Sequence, residues 1–272
     1  MNADCLELLA TGELTVLGRI ASASNLTVAC AVSDGRTAMR CVYKPVRGEE
    51  PLWDFPDGTL AGREVASYLI SDALGWDLIP ETVLREDGPT DIDLGAGMVQ
   101  RWIEQPPSDD GRLDPVDLVP AGEVPEGYRG VLNAYDHRGD EVILVHSVEE
   151  RLRRLAVLDA VLNNADRKGG HILTDGDGRL YGIDHGICLH SENKLRTILW
   201  GWAGTPVPPG ERADLARLSG VLEDVDSALH VRLSTLITPE EIAALLRRAK
   251  SLADVGVMPL PPHSRAIPWP PF

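Results

Sequence analysis

The 272-residue sequence predicts an α+β protein in two lobes, an antiparallel strand-rich one followed by a mainly helical one. Three observations lead there. Short β-branched runs separated by turn residues occupy the first hundred positions. A Pro/Asp-rich stretch over residues 104–130 then interrupts the chain, and an apolar stripe at three-to-four spacing follows it. The boundary is placed after Ile103, giving lobes of residues 1–103 and 104–272.

Taken in order, residues 14–20, 26–32 and 38–44 read as a meander with turns over 21–25 and 34–36. A helix follows over 60–74, with Arg63, Glu64, Ala66, Leu69 and Ala73 favouring it and Gly75 ending it. Apolar segments 79–85 and 96–103 add two strands across a polar linker. In the second lobe a short helix is expected near 115–119, then a hairpin of 131–135 with 142–146. Residues 148–162 set Val148, Leu152, Leu155, Leu158 and Leu162 on one helical face. Short strands at 171–174 and 180–183 flank Asp175-Gly176-Asp177-Gly178, which reads as a hairpin turn, since Gly186 stands where a calcium loop needs a glutamate. Thr238-Pro239-Glu240-Glu241 is a capping box that launches a helix to about Leu252. The tail from Gly256 carries six prolines.

Composition narrows the function. With 43% hydrophobic residues the chain can bury a large core, and the net charge of −16 is shared equally between the lobes. No basic arm exists for nucleic acid. No apolar run approaches the roughly 20 residues of a bilayer span, and the start of the chain lacks a cationic region before an apolar one. A cytoplasmic location is expected. Cys5, Cys30, Cys41 and Cys188 have no C-x-x-C spacing and read as small buried residues. Trp200-Gly201-Trp202 reads as packing. Of 26 basic residues only four are lysines, and Lys44 is the sole one before Lys168.

Phosphoryl transfer from ATP needs a lysine on the phosphates, a helical glutamate to hold it, a carboxylate near the acceptor hydroxyl and metal-binding groups downstream. Candidates occur in that order. Lys44 ends the third strand, Glu64 lies in the next helix, Asp166 sits in a loop after a helix, His171 is five residues on, and Asp184 follows the 180–183 strand.

The stretches Asp166-Arg167-Lys168-Gly169-Gly170-His171 and Ile183-Asp184-His185-Gly186 resemble the D-R-x-x-x-N and I-D-x-G motifs of the phosphatidylinositol 3/4-kinase superfamily, within the wider protein-kinase-like fold. Val99-Gln100-Arg101-Trp102-Ile103-Glu104 is similar to the hinge of type II phosphatidylinositol 4-kinases. The resemblance covers about two thirds of the chain, residues 18–186, and implies a two-lobed kinase-like fold using ATP with Mg²⁺ or Mn²⁺. It implies Asp166 and Lys168 as catalytic groups, and Lys44, Glu64, Arg101 and Ile103 as nucleotide-binding ones. Asp184 and His171 take the metal positions, and Ser22, Ser24 and Asn25 replace a glycine-rich phosphate loop. The sequence departs from the family at His171, where the family has asparagine.

The expected activity is transfer of the ATP γ-phosphate to a hydroxyl of a protein or soluble small molecule. Phosphoinositide is disfavoured because the chain lacks the basic cluster that an anionic membrane attracts. Two other readings share the motifs: a pseudokinase scaffold that binds nucleotide without turnover, and an interaction module that uses the Pro-rich tail as a ligand.

Overall fold

A computed structural model describes residues 2–21, 25–107 and 113–272. The first lobe is one antiparallel sheet of β1 (Glu13–Arg19), β2 (Val28–Ser33), β3 (Ala38–Pro45), β4 (Thr82–Arg85) and β5 (Gly97–Arg101), in the order β1-β2-β3-β5-β4. Alternation decides which face is inside. Val28, Cys30 and Val32 of β2 are buried, and so are Cys41 and Tyr43 of β3. Helix α1 (Asn2–Thr11) covers them with Cys5, Leu8 and Leu9. The sequence reading does not include α1, because ten residues are too short a run for an apolar stripe to stand out by its period.

Helix α2 (Leu60–Leu74) has the predicted bounds. Gly75 closes it at φ 71°, and its N–H reaches the carbonyls of Ser71 and Asp72. The helix buries charge as well as carbon. Arg63 is 1% exposed, with Nη2 2.6 Å from Glu241 Oε1 and Nη1 2.9 Å from the Cys188 carbonyl.

In the second lobe β6 (Val116–Pro120), β7 (Tyr128–Tyr135) and β8 (Glu141–Ser147) form a sheet in the order β6-β8-β7. This corrects the helix expected near 115–119. Four residues between Pro115 and Pro120 are too few to repay helix nucleation, whereas β8 offers an antiparallel edge that β6 pairs from Val116↔His146 to Pro120↔Val142. Helix α3 (Glu150–Leu162) starts two residues later than predicted, because the Val148 N–H is held by the Gly127 carbonyl. The hairpin β9 (Ile172–Thr174) and β10 (Leu180–Gly182) matches expectation. Its turn is fastened by Asp175 Oδ1, which accepts the N–H groups of Asp177 and Arg179.

Three helices complete the chain: α4 (Pro209–Glu223), α5 (Ala228–Leu233) and α6 (Pro239–Val255). The Thr238/Glu241 capping box is formed at α6. The largest core joins Leu152, Leu155 and Leu158 of α3 to Leu215 and Leu218 of α4 and to Leu245 of α6. It also takes in Ile70, Leu74, Leu78 and Ile79, so the connection from α2 to β4 is built into the second lobe. No helix of the described residues is long and apolar enough to cross a membrane.

Candidate functional site

Three elements converge between the lobes. Strand β3 ends by presenting Lys44, α2 presents Glu64, and the segment after β10 presents Asp184. Lys44 Nζ lies 2.6 Å from Glu64 Oε1 and 2.9 Å from Asp184 Oδ1, joining positions 140 residues apart. The other Glu64 oxygen accepts the His185 N–H at 2.9 Å, so one carboxylate binds both the lysine and the backbone beside Asp184. Asp184 sits at φ 59°, a left-handed conformation rare outside glycine. That twist leaves its carboxylate 44% exposed, whereas Glu64 is 2% exposed.

Electrostatics follow from the geometry. Burial would lower the Lys44 pKa, but Asp184 and Glu64 outweigh it and hold the ammonium charged above its ordinary range. Burial pushes Glu64 up. Partial desolvation would raise the Asp184 pKa, but Lys44 and His171 outweigh it and hold the carboxyl well below the usual carboxylate range. His171 Nε2 is 3.3 Å from Asp184 Oδ2, and burial lowers this imidazole to about 4, so it is neutral at pH 7.

Asp166 and Lys168 lie on the loop below, with Nζ 3.3 Å from Oδ2. The Asp166 N–H donates to Asn164 Oδ1, which fixes the loop, and burial raises the Asp166 pKa. The other predicted residues have different surroundings. The Arg101 guanidinium turns to Glu81 and stacks 5.3 Å from the Tyr181 ring centroid, while Ile103 is buried just beyond β5. Asn25 Oδ1 accepts the Glu50 N–H at 2.8 Å. Ser22 and Ser24 lie outside the described residues.

Beneath the loop is a network that sequence reasoning missed. Arg167 is fully buried, and all of its donors are used. Nε and Nη2 meet the buried Asp159 carboxylate at 2.9 and 3.0 Å. Nη1 reaches the carbonyls of Ile183 at 2.8 Å and His171 at 3.2 Å, and Nη2 also lies 2.6 Å from His185 Nε2. One guanidinium therefore ties α3, the Asp166 loop and the strand before Asp184 together. The sequence signal was Asp159 itself, a carboxylate inside an otherwise apolar stripe.

The tail also meets this loop. The Gly169 N–H donates to the Pro271 carbonyl at 2.8 Å, and a Cβ at 169 would stand 2.5 Å from the Phe272 ring. Trp200 Nε1 donates to the Ala266 carbonyl, and the buried Trp202 stacks on His146 at 4.2 Å.

A divalent ion fits this cleft in part. Asp184 offers an exposed hard oxygen, and His171 stands beside it. His171 Nδ1 is buried without a partner, so the hydrogen bond that ordinarily fixes a metal-bound imidazole is missing and Asp184 is the stronger donor. Among the described residues no group of three or more His, Cys, Asp or Glu forms a metal cage.

Fold and site together define a two-lobed protein of the protein-kinase-like class. The chain resembles the crystal structure of the Golgi casein kinase with Mn/ADP bound, with a TM-score of 0.54 at 14% identity over 94% of this chain and 78% of that one. It is equally similar to the structure of hydra Fam20 with sugar, with a TM-score of 0.54 and 14% identity over 93% of this chain and 87% of that one. At such identity the likeness shows the fold alone. Protein Rv2133c of Mycobacterium tuberculosis is 54% identical over 270 residues, covering 97% of this chain and 94% of that protein, and the chain belongs to its family. No protein-family model matches the chain.

Proposed function

We propose that the protein is an ATP-dependent phosphotransferase. The observation that carries this reading is Lys44 held at once by Glu64 and Asp184, residues from three separate elements gathered at one cleft. In this reading Lys44 neutralises phosphate charge while Glu64 keeps the ammonium in place. Asp184, with His171 beside it, would hold Mg²⁺ or Mn²⁺, which when bound supplies charge neutralisation on the β- and γ-phosphates. Ile103 and the backbone around it line the adenine side, with Arg101 bracing that strand through Glu81.

The chemistry on the acceptor side falls to Asp166, whose raised pKa suits a proton acceptor. The acceptor oxygen bonds to the γ-phosphorus, the bond from phosphorus to the β–γ bridging oxygen breaks, ADP leaves, and the hydroxyl proton passes to Asp166. Lys168, 3.3 Å from Asp166, offsets the charge that builds on the transferred group.

Affiliation with the phosphatidylinositol 3/4-kinases belongs to the same proposal, supported by the Asp166-Arg167 and Ile183-Asp184 motifs. So do a lobe boundary after Ile103, a phosphate-binding role for residues 22–25, and a protein or soluble small-molecule acceptor. A cytoplasmic location accords with four free, buried cysteines. The test is incubation of purified protein with γ-labelled ATP and Mg²⁺ or Mn²⁺. Label appearing in protein or phosphate, and falling by about 10²–10⁴-fold in Asp166→Asn, supports the reading. ATP binding with no turnover under either metal leaves a pseudokinase instead.

A further inference from the structure

We propose that the chain carries a second ligand site, a cationic cavity with an aromatic lip that takes a small amphipathic anion: a carboxylate or phosphate group on an apolar or aromatic body. The cavity measures about 700 Å³ and lies among the 192–200 segment, the end of α6, the 257–265 stretch and Trp53. That volume suits a molecule of drug size. None of Lys44, Glu64, Asp166 or Asp184 lines it, so the inference stands apart from the phosphotransfer reading.

Charge identifies the polar half of the ligand. On a chain of net charge −16 this cavity is lined by Lys194, Arg196, Arg248 and Arg265 against a single carboxylate, Glu192. Lys194 is already used, 2.9 Å from Asp54 and 5.2 Å from the centroid of the Trp53 ring. Arg196 and Arg265 make no side-chain hydrogen bond or ion pair among the described residues. Arg248 lies deeper, with Nε on the Val161 carbonyl and Nη1 on that of His190, while its Nη2 is buried without a partner. A cation in that position is stabilised by an anion arriving from the cavity.

Apolar surface identifies the other half. Trp53 is 85% exposed and Leu260 72% exposed, and both line the cavity beside Val257 and Trp200. Large side chains left in water at a concave cationic site fit a ligand with a ring or chain to cover them. One wall of the cavity is joined to the Asp166 loop through the backbone of Arg196. The Arg196 N–H donates to the Asn164 carbonyl at 2.9 Å, and the Arg196 carbonyl accepts the Arg167 N–H at 3.1 Å.

The fluorescent anion 8-anilinonaphthalene-1-sulfonate is a suitable probe, with uncharged N-phenyl-1-naphthylamine as its control. The sulfonate should bind the full chain saturably at one site, and excess ADP with Mg²⁺ should not displace it. Arg196→Gln/Arg265→Gln should weaken it by at least about tenfold and leave the uncharged probe unchanged. Trp53→Ala should weaken both probes. Circular dichroism checks the folding of each variant, and Arg265→Gln alone, at an exposed position, serves if the double variant does not fold. Displacement by ADP, equal affinity for the two probes, or undiminished sulfonate binding in the arginine variants would overturn the proposal.

Discussion

Two clusters of carboxylate, cation and imidazole lie back to back in this protein, joined through His185, and they differ in what they leave free. In the network of Asp159, Arg167 and His185 every participant is buried and every guanidinium donor is used. In the cluster of Lys44, Glu64, Asp184 and His171, Asp184 is 44% exposed and shares its two oxygens between two partners. The residue types are alike. Access to solvent separates a brace from a place where a ligand can act.

Breaking the sealed cluster should cost the most. Asp159→Ala leaves the Arg167 charge buried and unpaired, a loss of about 3–5 kcal/mol. For a chain of this size that lowers the melting temperature on the order of 10 °C, measurable by calorimetry. Asp184→Asn should do the opposite: a melting curve close to wild type, with ATP turnover down at least about 100-fold. If Asp184→Asn melted like Asp159→Ala, the distinction between the clusters would be lost.

His171→Asn sharpens the comparison within the open cluster. Exchanging a nitrogen donor for an oxygen should raise the ratio of Mg²⁺- to Mn²⁺-supported turnover, on the order of tenfold. An unchanged ratio would place His171 outside the metal site. The smallest effect is one of pH, and it isolates a sealed histidine far from the cleft. His146 Nδ1 donates to the Ser147 carbonyl and Nε2 accepts the Gly201 N–H, while burial lowers its pKa to about 4. Between about pH 6.5 and 4 the unfolded chain therefore takes up a proton there that the folded chain does not, so stability falls as pH falls through that window. Urea titrations at several pH values should show a shallower slope for His146→Gln.

How much of this was legible depends on range. Lys44, Glu64, Asp166 and Asp184 could be read because each stands at a recognisable place, a strand end, a helix, a post-helical loop and a strand-to-glycine step, in a meaningful order. Helix α2 was equally clear, having a long favourable run and a glycine stop. Asp159 was not legible, since a lone carboxylate on a helix reads as a solvated charge until Arg167 is folded against it. Arg101 shows the same limit, because nothing near it in sequence announces Glu81 as its partner. The β6 segment failed for a related reason: four residues between prolines carry no periodicity, and its partner strand decides its conformation. The apolar spacing began α3 two residues early, at Val148, because a tertiary hydrogen bond holds that residue in the loop.

Arg63 has a consequence for control. A helix that pairs its glutamate with a lysine of the neighbouring sheet can part that pair by swinging out. Here the residue before Glu64 is bolted to α6 through the Glu241 carboxylate and to the Cys188 carbonyl. Moving α2 away from α6 would part Arg63 from Glu241 and leave the Glu241 carboxylate buried without its cation. The Lys44–Glu64 pair is assembled in this structure, and the buried Arg63–Glu241 ion pair opposes any movement of α2 that would part it.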